Sequence, residues 1–126
     1  MKTTEELVIQ YAENRITFRN VRREIDQITN PRDENGECIF GIPEKDTIQA
    51  KMTSVRNDWF DCGDGYSYNA WPNGGWTEVL TDLDIKDPEM LRLAVLWGER
   101  KAIVNEAGNI KRAIAARGRA LLRKAI

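Results

Sequence analysis

Residues 87–126, DPEMLRLAVLWGERKAIVNEAGNIKRAIAARGRALLRKAI, decide the reading of this chain. Asp87 suits an N-cap, Pro88 the first helical position, where a missing N–H is no loss, and Glu89 puts a negative charge at the positive end of the helix dipole. Leu93, Leu96, Ile103, Ala107, Ile110, Ile114 and Leu121 then recur at steps of three, four and seven. At about 100° per residue they fall on one side of a single long helix, the side that must be buried. Lys101, Arg112, Arg119 and Arg123 fall together on the opposite side, and Arg117 and Lys124 flank the apolar one. From Lys101 to Arg123 the helix would run roughly 33 Å.

Gly98, Gly108 and Gly118 stand inside this helix, where each costs about 1 kcal/mol against alanine. With Ala94, Ala102, Ala113, Ala116 and Ala120 they predict stretches of low bulk where a second helix backbone or a partner comes close. The alternative is a kink or break near Gly108-Asn109.

A matching helix opens the chain. Thr3 or Thr4 with Glu6 can cap it, and Leu7, Tyr11, Asn14, Phe18, Val21, Ile25 and Ile28 alternate steps of four and three, a heptad pattern. Thr29-Asn30-Pro31 stops it, because the residue before proline is pushed out of the helical region. Asn14 takes a seam position, where a buried polar side chain fixes register or partner choice.

Between the long helices, NPRDENGECIFGIP (30–43) is turn-rich, with Cys38-Ile39-Phe40 expected to plug into the core. Glu44 to Phe60 reads as a helix with Ile48, Met52, Val55 and Trp59 on its seam, opened by Pro43, Glu44 and Asp46. FDCGDGYSYNAWPNGGWT (60–77) is an irregular loop carrying Phe60, Tyr66, Tyr68, Trp71 and Trp76, and Thr77 to Asp84 adds a helical turn that packs Val79, Leu80 and Leu83 inward. The fold class expected is therefore all-α: one domain over residues 1–126, a small helical bundle built on an antiparallel pair of N- and C-terminal helices. A hairpin around Cys38 to Phe40 or Tyr66 to Trp71 is the alternative, and would make it α+β.

At 126 residues the chain can bury a core without metal or disulfide staples. Its net charge of −1 hides a segregation: residues 24–89 hold five bases and fifteen acids, residues 90–126 nine and two. Acidic middle and basic end either neutralise one another or serve as two binding surfaces. There is no histidine, so zinc is disfavoured and a Ser or Cys nucleophile lacks its commonest base. Cys62 has Asp61 and Asp64 beside it, whose charge opposes thiolate formation. Asp58, Asp61 and Asp64 lack EF-hand spacing, because the twelfth position counted from Asp61 is Pro72. No signal-peptide core or membrane span is apparent, so a cytoplasmic protein with reduced thiols is expected.

These features point to a non-enzymatic regulatory or accessory protein without cofactor or metal. It would dock on nucleic acid, or on a complex that handles it, through Lys101, Arg112, Arg119 and Arg123. The alternative is a protein-binding module or inhibitor whose Tyr66, Tyr68, Trp71 and Trp76, with the acidic middle, contact a protein partner. Low-bulk positions and the heptad seam also suit a homodimer.

Overall fold

The computed structural model describes residues 2–37, 39, 41, 43–61 and 71–125, Glu44 by its backbone alone. Among these residues four α-helices follow in chain order: α1 (Thr4–Thr29), α2 (Ile48–Asp61), α3 (Gly75–Asp82) and α4 (Pro88–Ala125), with a 3-10 turn at Glu44–Asp46. The fold is all-α, with no strand among the described residues. Cys38, Phe40 and residues 62–70 lie outside them, so most of the hairpin alternative falls there too.

Each helix starts where its chemistry allows. The Thr3 hydroxyl accepts the Glu6 N–H at 3.1 Å and opens α1. Asp87 Oδ1 accepts the N–H groups of Glu89 (3.0 Å) and Met90 (3.3 Å), which opens α4. α2 corrects the expected start: Glu44 to Asp46 form a separate turn, and Thr47 is the cap, its hydroxyl accepting the Ala50 N–H at 3.2 Å. A threonine oxygen can satisfy an orphan donor that Pro43 cannot reach. α3 ends on Asp84 at φ 55°, with Asp84 N–H on Thr81 O and Ile85 N–H on Leu80 O at 2.9 Å, the paired bonds of a Schellman close.

α1 and α4 pair antiparallel. Arg117 donates to the Lys2 carbonyl, Asn14 bonds the Ile103 carbonyl, and Arg92 reaches Glu24, so partners descend α4 as α1 is ascended. The chain divides into two compact units, one formed by residues 1–22 and 99–126, the other by residues 23–98. In the first, Leu7, Asn14, Val21, Ala107 and Ile110 are buried, with Tyr11, Phe18, Ile103 and Ile114 half-buried beside them. In the second, the expected α2 seam of Ile48, Met52, Val55 and Trp59 is buried, as are Ile25, Val79, Leu80, Met90, Leu93, Ala94 and Leu96.

α4 is one unbroken helix, so Gly108-Asn109 is no break. The glycines do not mark close approach either. A methyl group on Gly98 or Gly118 would meet nothing within 4 Å beyond the helix's own backbone, and on Gly108 only the Arg112 guanidinium. Leu121, expected on the buried side, is 60% exposed. Its periodicity is right, but Arg117 already stands level with Lys2, so Leu121 lies a turn beyond the described part of α1. Ile39 is no core plug; it is exposed, its N–H bonded to Pro31 O at 3.1 Å.

Gly98→Ala and Gly118→Ala should each raise the unfolding free energy by about 1 kcal/mol, because helix propensity improves and no atom must move. Urea denaturation with circular dichroism reads this; a loss of stability in either variant would show that its neighbourhood is occupied.

Candidate nucleic-acid interface

The candidate interface is the stretch of α4 from Lys101 to Arg123 in the first unit. Steps of eleven, seven and four keep Lys101, Arg112, Arg119 and Arg123 within roughly 40° of arc on an unbroken helix. All four are exposed. Arg112 is tied by a bond to Asn109 Oδ1. No hydrogen-bond or ion-pair partner among the described residues holds Lys101, Arg119 or Arg123. Arg117 belongs to the helix pair instead, through the Lys2 carbonyl.

Two further bases stand over rings of α1; the sequence places Arg15 beside the apolar seam but assigns neither it nor Lys111 to the site. Lys111 Nζ stands 5.6 Å from the Tyr11 ring centre. The Arg15 guanidinium lies over Tyr11 at 5.5 Å and Phe18 at 4.8 Å, and its Nε and Nη2 donate to Asn14 Oδ1 at 3.1 and 2.7 Å. Both cations lie over aromatic rings, Arg15 half-buried and Lys111 exposed. Tyr11 and Phe18 stand four before and three after Arg15, the spacing at which helical neighbours meet. That was the available signal.

Charge separates sharply between the units. The first holds twelve bases and five acids, a net of +7; the second holds seven and fifteen, a net of −8. All four ion pairs among the described residues lie in the second: Arg92–Glu24 at 2.6 Å, Arg32–Asp26 at 3.7 Å, Lys86–Asp84 at 3.8 Å and Lys51–Asp87 at 3.9 Å. Internal neutralisation of basic end by acidic middle is thus confined to Arg92 with Glu24 among the described residues. Of the first unit's bases, Lys101, Arg112, Arg119 and Arg123 are exposed and in no ion pair among the described residues.

The aromatic candidates part company. Tyr66 and Tyr68 lie outside the described residues. Trp71 and Trp76 join a row that runs from exposed Phe60 to Trp71 (6.1 Å between centres), Trp76 (4.8 Å, edge-on) and Trp97 (5.3 Å). Trp76 is not a loop residue; it stands in the first turn of α3, where Glu78 Oε2 accepts the Gly74 N–H at 2.9 Å. Trp97, four residues after Leu93, extends the row from α4, a role the sequence reading missed. Arg56, Phe60, Trp71 and Trp76 line a shallow groove of about 320 Å³.

Of the three aspartates considered for a metal, Asp64 lies outside the described residues, and among the described residues no three His, Cys, Asp or Glu gather around one point. No described helix is long and apolar enough to cross a membrane. No family model matches the chain, and neither a curated protein nor a solved structure is significantly similar to it.

Both tryptophans touch rings on two sides, but the outer neighbour of Trp71 is exposed Phe60 at 6.1 Å, whereas Trp76 lies between Trp71 and Trp97 at 4.8 and 5.3 Å. Trp76→Ala should therefore lower stability by about 3 kcal/mol and Trp71→Ala by about 1 kcal/mol. Urea unfolding of the two variants checks the order; equal small losses would show that the row does not hold the second unit together.

Proposed function

We propose that the chain is a non-enzymatic accessory protein that docks on nucleic acid, gripping phosphates with Lys101, Arg112, Arg119 and Arg123. The observation that carries this reading is the exposed basic side of a continuous helix in a unit of net charge +7, where Lys101, Arg119 and Arg123 have no hydrogen-bond or ion-pair partner among the described residues. Cations along roughly 33 Å of helix match the rise of about one turn of duplex, 34–36 Å. Their long side chains can follow phosphates without entering a groove, so affinity would come from counterion release and carry little sequence preference.

A second reading rests on the aromatic row. Phe60 is exposed and Trp71 half-buried beside Arg56, so a protein partner could be anchored there through rigid rings in an acidic unit. Charge reversal at Arg112, Arg119 and Arg123 would spare such a partner, and Trp71→Ala or Tyr68→Ala would remove it.

Binding to single-stranded DNA, duplex DNA and RNA across a salt series tests the first reading. Neutralising four phosphates gives a slope of log K against log[salt] of about −3.6 on duplex. Replacing Arg112, Arg119 and Arg123 together by Glu should abolish binding, and Arg119→Ala alone should flatten the slope by about 1. No binding at low salt overturns the proposal.

A further inference from the structure

α1 has two apolar sides, and α4 covers only one. Leu7, Asn14, Val21 and Ile25 face the seam. Val8, Ile9 and Ile16 point away from it and are 52%, 58% and 56% exposed, with exposed Ala12 between them. Positions 8, 12 and 16 step by four, and 9 and 16 by seven, so at about 100° per residue these four share one outward face. A helix apolar on opposite sides is built to be covered twice.

The charges at the ends of this face say what covers it. Glu5 and Arg19 stand seven residues before and after Ala12, on the same line of the helix. Both are exposed, and neither has a hydrogen-bond or ion-pair partner among the described residues. Two copies of α1 crossing antiparallel, with Ala12 against Ala12 on the two-fold axis, would bring Glu5 of each to Arg19 of the other and Val8 of each to Ile16 of the other. Ala12 has the small side chain that a close crossing needs. An interface related by a two-fold axis must be complementary to itself in this way, and an acid and a base placed evenly about a small central residue satisfy it.

We propose that a second copy of this chain covers the outward face of α1, forming an antiparallel α1–α1 dimer centred on Ala12. The contact uses none of the α4 bases assigned to phosphate, so it stands or falls apart from the nucleic-acid reading. It also leaves the basic side of α4 free in both copies.

Sedimentation equilibrium over a concentration series tests it, with circular dichroism to confirm that each variant keeps its helices; every substituted side chain is exposed, so folding should be untouched. The wild-type chain should reach the mass of two chains, and Ile16→Glu should hold it at one. Glu5→Arg and Arg19→Glu should each weaken self-association about tenfold or more, since each homodimer then faces two like-charge pairs. Mixed in equal amounts, the two variants should recover the dimer, because both pairs in the mixed dimer are again opposite in charge. A wild-type chain that stays at the mass of one copy, or a dimer indifferent to these substitutions, overturns the proposal. The Arg112, Arg119 and Arg123 to Glu variant should dimerise as the wild type does.

Discussion

The bond from Asn14 Nδ2 to the Ile103 carbonyl, 3.0 Å long, sets how the first and last helices meet in the first unit. Asn14 is 5% exposed, and a buried amide left unpaired would cost about 1–3 kcal/mol. Apolar seams tolerate a slip of one turn, because one leucine replaces another; a buried asparagine does not, because its donor must find a carbonyl. The helix carbonyl has a second lone pair for it. On the other side of the amide, Arg15 satisfies the oxygen and in turn rests on Tyr11 and Phe18. One polar residue thus holds a cation that rests on two rings, and Arg15 becomes structural for that reason.

That arrangement explains which bases are free. Arg15, Lys111 and Arg117 meet rings or a backbone carbonyl, whereas Lys101, Arg119 and Arg123 extend from the far side of α4, exposed and with no hydrogen-bond or ion-pair partner among the described residues. Among the described residues the acidic unit keeps its ion pairs to itself. Surface pairs of this kind contribute at most about 1 kcal/mol each, so their consequence is less in stability than in the field each unit presents. A surplus of one sign on each unit gives the two units fields of opposite sign.

The second unit is held by a different device. Its buried aliphatic side chains come from all four helices, and the row of Phe60, Trp71, Trp76 and Trp97 adds ring contacts among half-buried tryptophans that end on exposed Phe60. Offset and edge-on rings stabilise one another beyond the area they bury. The same row therefore contributes to the core and leaves an aromatic surface at its Phe60 end.

Within each helix, the sequence by itself determined what was local. The seams of α1, α2 and α4 up to Ile114 followed from spacing, the caps at Thr3 and Asp87 from side-chain chemistry, and the basic side of α4 from the same 3.6-residue repeat that placed its apolar side. Asn14 could be read as a register residue because a polar group in a heptad seam has few other uses. What lay between helices was legible only in the tertiary structure. Leu121 obeys the repeat but overruns the described part of α1, Gly98 and Gly118 face open space and Gly108 only the Arg112 side chain, and Trp97 joins a row begun by residues of α2, α3 and the segment between them. Periodicity reports the direction of a side chain about its own axis. Whether another helix stands there depends on relative register and on where each neighbour stops, and those are decided by packing between segments far apart in the chain.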